Sequence, residues 1–336
     1  MRRPAMDLPA AIRRPRLPVL ATGMLTFALL AVIQVQVPRP MLLAERFLPG
    51  AGWVEAALLA LYAAVIRDRL EDPRRSGTWR RRVWVLFSAV FFGQFVLGIL
   101  GLDALLMTGR LHVPVPAVIV GGPLFRGERF FMPILFASTL VLVGPAWCSH
   151  LCYFGGWDNL AAMARKRPAP LPTWRWWAQP TMLVLVVGAA LGMRQAEVPG
   201  TVASLVAVAF GVVGIGVMAL VSRRQGYLAH CTLFCPIGWI ATRLGRLVSL
   251  FRIRIAEGCD GCLACGTACR FGALTRQDIE ARRAGPTCTL CGDCIRPCRR
   301  QVIGYRLGPL DPARARSVFL GLVVSLHAVF LGVARI

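Results

Sequence analysis

Charge is scarce in this 336-residue chain, where Asp, Glu, Lys and Arg together make up 16% of the residues. A soluble globular domain carries about 25%. Hydrophobic residues reach 56%, so an ordinary cytosolic enzyme is a poor fit. Lysine is nearly absent, and the only one is Lys166, in R-K-R-P. A Walker A loop needs a lysine behind its glycines, and no G-x-G-x-x-G opens a helix, so nucleotide chemistry is not expected. Histidine is sparse too: His112, His150, His230 and His327 are all there are. Only His327 lies within an apolar run, so a bis-histidine haem inside a membrane is not expected. Acidic residues number 16 against 39 Lys and Arg, a net charge of +23. The arginines gather between apolar runs, which suits a bilayer with anionic headgroups. Nucleic acid is not an expected partner.

What the chain does have is long apolar runs. Those long enough for a hydrocarbon layer of roughly 30 Å fall at 18–37, 83–107, 129–147, 201–221 and 317–334, with shorter ones at 53–66 and 178–193. Seven spans are predicted. The first is read as an uncleaved anchor behind a basic stretch, 1–17. The intervening segments 1–17, 67–82, 148–177 and 222–316 are rich in Arg, whereas 38–52, 108–128 and 194–200 are poor. This alternation predicts a cytoplasmic N-terminus and a C-terminus outside. Most tryptophans, among them Trp84, Trp147, Trp157 and Trp239, fall near the inner boundary so defined. The stretch 111–125, broken by three prolines, reads as an outer cap or re-entrant loop. Gly188 with Gly192, and Gly211, Gly214 and Gly216, predict close helix packing. Gln94, Asp103 and His327 are polar residues in or beside spans, where such groups are expensive. They are candidates for a quinol or proton site.

Cysteine is the richest signal. Residues 259–269 read C-D-G-C-L-A-C-G-T-A-C and 288–298 read C-T-L-C-G-D-C-I-R-P-C. Each is C-x2-C-x2-C-x3-C, the spacing of a two-cluster ferredoxin, in which the fourth cysteine of each run serves the other cluster. Cys259, Cys262, Cys265 and Cys298 are the expected ligands of one 4Fe-4S cluster, and Cys288, Cys291, Cys294 and Cys269 those of a second. Zinc more often takes paired C-x2-C units or Cys/His mixtures. The predicted inner side keeps thiols reduced, which disfavours structural disulfides. The proline usual after the fourth cysteine is missing, and Arg270 and Arg299 stand there, with Arg296 and Arg300 nearby. They read either as solvated surface charge or as cations that raise a cluster's potential.

An internal echo supplies the other four cysteines. Residues 147–157 read W-C-S-H-L-C-Y-F-G-G-W and 230–239 read H-C-T-L-F-C-P-I-G-W. Both place C-x3-C-x2-G at the predicted inner end of a span. Cys148, Cys152, Cys231 and Cys235 could bind a third cluster or metal ion, act as a thiol/disulfide relay, or pack as reduced thiols. His150 and His230 beside them read as interfacial polar anchors. On a helix each pair would share one face, unless Gly155 and Pro236 bend the chain.

With Cys148/Cys152, Cys231/Cys235/Pro236 and the eight later cysteines in this order, the stretch 129–300 resembles the membrane polyferredoxins related to NapH, NosR and MauN. Tyr153 stands where that family often has proline. The resemblance implies electron transfer between the quinone pool or a cytoplasmic donor and a respiratory or periplasmic oxidoreductase system at a bacterial inner membrane. The expected fold is an all-α polytopic membrane protein with a small α+β two-cluster insertion. Its expected segments are a transmembrane region at 18–222, an interfacial segment at 223–252, a cluster module at 253–310 and a last span. The expected cofactors are two 4Fe-4S clusters, with a third site and quinone as further candidates. Redox proteins and membrane lipid are the expected partners. An assembly factor that reduces a metal or disulfide, and a cluster-based redox sensor, are the rival readings.

Overall fold

The computed structural model describes residues 17–105 and 113–333. The basic N-terminus up to residue 16 and His112 lie outside the described residues. In chain order the helices begin with α1 (Leu17–Gln36), the short α2 (Leu43–Phe47), α3 (Gly52–Glu71), α4 (Pro73–Ile99), α5 (Val118–Arg126) and α6 (Phe131–Val143). There follow α7 (Tyr153–Ala162), α8 (Arg175–Gln195), α9 (Gly200–Val217), the single turn α10 (Arg223–Gln225) and α11 (Pro236–Val248). Strand β1 (Phe251–Ile255), the short helices α12 (Ala264–Ala268) and α13 (Arg276–Glu280), strand β2 (Ile303–Leu307) and α14 (Pro312–Val333) complete the chain.

Six helices are long and apolar enough to cross a membrane: Leu17–Gln36, Pro73–Ile99, Phe131–Leu151, Arg175–Gln195, Gly200–Gln225 and Pro312–Val333. They pass on length and composition because few charged residues interrupt them. Apolar side chains such as Met24, Val184 and Leu205 point away from the rest of the protein, the arrangement lipid contact requires. The 178–193 run, too short on paper, is the centre of 21-residue α8. The 53–66 run is the apolar part of 20-residue α3, whose ends carry Glu55, Arg67, Asp68, Arg69 and Glu71; it is not among the six.

Helices α1, α3 and α14 pack on one another, and α4 packs on both α3 and α7. Helix α4 starts crisply because Asp72 accepts the Arg74 amide through Oδ1 (2.9 Å) and Pro73 takes the first helical position, where its missing N–H costs nothing. The proline-broken stretch becomes short α5, packed on α8. The glycines divide. Gly211 lies under Val115 and Gly214 under the His230 ring, but Gly188, Gly192 and Gly216 face open space. Among the described residues, the G-x3-G of α8 therefore marks no helix contact.

Strands β1 and β2 pair antiparallel, Phe251 opposite Leu307 through Ile255 opposite Ile303. Their inner face, Phe251, Ile253, Ile255, Ile303 and Tyr305, is buried. Phe319 of α14 packs against it, stacked on Tyr305 at 4.6 Å and edge-on to Phe251 at 5.3 Å. This two-strand sheet seats the 256–302 excursion on the end of α14.

Candidate iron–sulfur sites

The two C-x3-C turns share one backbone solution. Trp147–Leu151 and His230–Phe234 each form a π-helical turn. The amide of Cys152 reaches back to the Trp147 carbonyl (2.9 Å) and that of Cys235 to the His230 carbonyl (2.8 Å). Each second cysteine then stands in extended backbone, φ −84° and ψ 117° at Cys152, φ −75° and ψ 118° at Cys235, and a helix starts on the next residue. The pairs are thus not i, i+4 neighbours on an α-helix. The sulfur of each second cysteine accepts amide hydrogens from the first turn of the following helix, Phe154 and Gly155 at Cys152, Ile237 and Gly238 at Cys235. Unpaired amides and the positive helix end favour anionic sulfur there.

The glycine of each C-x3-C-x2-G has a steric cause. A Cβ on Gly155 would stand 2.8 Å from the Cys148 carbonyl oxygen and collide with the Trp84 ring, and one on Gly238 would stand 2.6 Å from the Cys231 carbonyl oxygen. A neighbouring span braces each turn. The Trp84 indole donates to the Cys152 carbonyl (2.7 Å), and the Gln179 amide donates to the carbonyls of Cys231 (2.8 Å) and Cys235 (3.0 Å). Cys148, Cys152 and Cys235 are buried and Cys231 half-buried, and the four thiols lie within electrostatic reach of one another. Asp158 ties the halves together: Oδ2 accepts the Cys231 amide (2.9 Å) and Oδ1 accepts the Ser222 hydroxyl (2.5 Å). Burial raises this carboxyl to about 6 despite its hydrogen bonds.

His150 and His230 are both buried within the protein. His150 Nδ1 meets the Ser149 hydroxyl at 2.9 Å, and the His230 ring is held between Phe154 and Phe234. His327 meets the Tyr62 hydroxyl through Nε2 (3.1 Å) and the His150 carbonyl through Nδ1 (3.0 Å). Gln94 is buried. Asp103 falls in a short 3-10 turn with Ala104 and Leu105. Both ring nitrogens of His327 are thus engaged.

The eight cysteines of 259–298 divide by position. Cys269, Cys288, Cys291 and Cys294 line one cavity. Cys265 lies within electrostatic reach of Cys259 and Cys298, while Cys259 and Cys262 are exposed. Both motifs wind alike: the residues just before and just after the second cysteine are left-handed, Gly261 (φ +68°) and Leu263 (+58°) in one, Leu290 (+56°) and Gly292 (+77°) in the other. Each motif spends one glycine and one strained leucine on this reversal, which turns three closely spaced thiols to the same side. The Ala273 amide donates to Cys269 Sγ at 3.3 Å. Burial pushes the thiols of Cys269, Cys288 and Cys291 up to about 12, so as anions they need metal-borne positive charge beside them.

Donor type and spacing suit a cubane. Among the described residues no three Cys, His, Asp or Glu side chains converge as a single metal ion would require; a cubane takes its four thiolates at separate corners.

The two cysteine regions are joined by residues that sequence reasoning missed. Arg80 is 2% exposed; Nη2 pairs with Asp293 Oδ2 at 2.7 Å, Nη1 donates to the Ser149 carbonyl at 3.0 Å, and its guanidinium lies over the Trp84 ring. The Ser149 hydroxyl donates to the Thr289 carbonyl at 2.8 Å. Arg270 is a strut rather than solvated charge: it donates to the carbonyls of Ala162 (2.7 Å), Gly226 (2.5 Å) and Arg165 (3.0 Å). Arg296 and Arg299 are exposed, and Arg300 meets Asp260 at 3.4 Å. Trp84, Ala162, Leu228 and Phe271 pack into one cluster, and Cys231, Cys269 and Cys291 all lie against it.

Against known proteins, no curated protein and no solved structure matches this chain. One family does: residues 118–172, which contain Cys148 and Cys152 but none of the later eight, match a 4Fe-4S binding domain. The chain thus carries a 4Fe-4S binding domain alongside six helices fit to cross a membrane.

Proposed function

We propose that the protein is a membrane-anchored iron–sulfur electron carrier of the NapH/NosR/MauN-like kind with three 4Fe-4S sites in series. Cys259, Cys262, Cys265 and Cys298 hold the outermost, Cys269, Cys288, Cys291 and Cys294 the middle one, and Cys148, Cys152, Cys231 and Cys235 the one at the span ends. Bound there, each cluster supplies one-electron oxidation and reduction. The residues do the rest: thiolates ligate, amides at helix starts neutralise sulfur charge, and burial excludes water. The carrying observation is the shared Trp84–Leu228–Phe271 packing, because Cys231 and Cys269, from different cysteine sets, both lie against it. In this reading α3 is a seventh crossing, the cysteines lie at the cytoplasmic face of an inner membrane, and electrons pass between the quinone pool or a cytoplasmic donor and a respiratory or periplasmic oxidoreductase system.

Iron and acid-labile sulfide counted on anaerobically purified protein test this. About twelve irons per chain are expected, four for each cubane. C148S/C152S should remove about four, and C291S a different four with a different EPR signature. A count of about eight, unchanged by C148S/C152S, removes the site at the turns. Zinc in place of iron overturns the whole reading.

A further inference from the structure

Beside the middle cysteine set, along β1, lies a second cleft. It runs from Pro145, at the end of the α6 span, along Arg246 of α11 and Arg252 and Arg254 of β1, to Arg283 and Cys288. Among the described residues that line it none is acidic. The Arg252 guanidinium is engaged, folded back on the carbonyls of Arg246, Ser249 and Phe251. Arg246, Arg254 and Arg283 form no ion pair among the described residues. The backbone fixes their convergence: Arg254 and Arg283 face each other across an isolated antiparallel bridge, and Arg246 ends the last turn of α11. Apart from Cys288, within electrostatic reach of Arg246, no side chain among the described residues that could carry negative charge lines the cleft, and like charges so placed are costly unless an anion joins them.

The surroundings point to its source. Helix α11 is amphipathic and leaves Leu247 80% exposed, with Leu250 just beyond it 72% exposed. Such leucines beside a span end belong in the headgroup–acyl boundary. Guanidinium forks bind phosphate oxygens bidentately, and basic pockets at the ends of membrane helices take anionic headgroups.

We infer that the cleft of Arg246, Arg254 and Arg283 is a binding site for a phosphate-ester anion, furnished by the headgroup of an anionic phospholipid whose chains lie on Leu247 and Leu250. The inference rests on the membrane reading of the helices and is independent of cluster number.

The test uses the full chain, anaerobically purified, in nanodiscs of phosphatidylcholine with graded phosphatidylglycerol, and counts lipids retained on extraction by native mass spectrometry. Calorimetry with inorganic pyrophosphate is the soluble arm. Retained phosphatidylglycerol should fall roughly fivefold for each arginine lost in R246Q/R254Q/R283Q. It should be kept by R246K/R254K/R283K and by the charge-matched control R276Q/R296Q/R299Q. Pyrophosphate binding that is lost in the same variant, without lipid retention, keeps the anion site and makes its source soluble. Absence of both, or retention indifferent to the glutamines, overturns it. Should the glutamine variant misfold, a photoactivatable phosphatidylglycerol on the unaltered chain decides. Crosslinks confined outside 246–254 and 283–290 reject the site.

Discussion

Three consecutive arginines, Arg80, Arg81 and Arg82, look interchangeable in sequence, yet only the first is buried to 2% exposure. Position on α4 decides this: Arg80 is four residues before Trp84 and shares its face. Its guanidinium satisfies the Asp293 carboxylate and a carbonyl of the first π-turn at once. Removing only the cation strands the acid, so Arg80→Leu should cost about 3 kcal/mol of stability. The double variant R80L/D293L should recover part of that loss because no unpaired charge remains. Chemical denaturation in detergent checks both, and a double variant less stable than R80L alone contradicts the pairing. Nothing in the sequence marks Arg80, because burial of one arginine among three is set by contacts 69 and 213 residues away. Arg270 was visible as an anomaly, an arginine in place of proline, but its work as a donor to three carbonyls depends on a loop at 162–165 and a turn at 226. Arg270→Ala should raise amide hydrogen exchange in 162–165 and 226–228 while leaving the β1–β2 ladder protected; uniform protection in both would show that the strut bears no load.

At the scale of the element, the echo of C-x3-C-x2-G was legible, and the structure shows two matching π-turns behind it. The spacing alone could not say why. An α-helical reading puts the cysteines on one face, but the extra residue in each π-turn lets the second cysteine leave the helix and start the next one. Glycine three residues on is required by carbonyl contact, a distance no periodicity encodes. Gly155→Ala and Gly238→Ala should each cost roughly 1–3 kcal/mol through overpacking and lower the iron bound. Gly188→Ala and Gly192→Ala, which face open space, should be neutral or slightly stabilising. Equal losses at all four positions, measured by thermal unfolding and iron content, would refute the steric account. The G-x3-G of α8 misleads as a sequence signal because the motif reports only that close approach is allowed. Here no helix among the described residues takes the opportunity. In the C-x2-C-x2-C runs Leu263 and Leu290 stand in left-handed backbone beside Gly261 and Gly292, so glycine fills only half of those positions.

For the whole molecule, the number of crossings turns on α3, which is not among the six helices that pass on length and composition. Four of its five charges lie at its C-terminal end: Arg67, Asp68, Arg69 and Glu71. They are not loose in an apolar environment. The Arg67 guanidinium is fully buried, donating to Glu71 and to the Ser317 hydroxyl of α14 (2.7 Å). Arg316 donates to the carbonyls of Leu70 and Glu71, both at 2.6 Å, which caps the C-terminal end of α3. Between Glu55 at its start and this cluster at its end, α3 is apolar from Ala56 to Ile66 and packed between α1 and α14, both long enough to span. In the proposed reading α3 crosses as well, with its charges kept to its two ends. Gly50, before α3, and Gly127, before α6, then lie on the side opposite Arg74 and Arg167. Gly50→Cys and Glu128→Cys should react with a membrane-impermeant maleimide added to intact cells, whereas Arg74→Cys and Arg167→Cys should react only after the membrane is opened. Labelling of positions 50 and 74 from the same side would reduce α3 to a helix lying along the membrane. It would also reverse the side on which every later loop stands relative to the N-terminus.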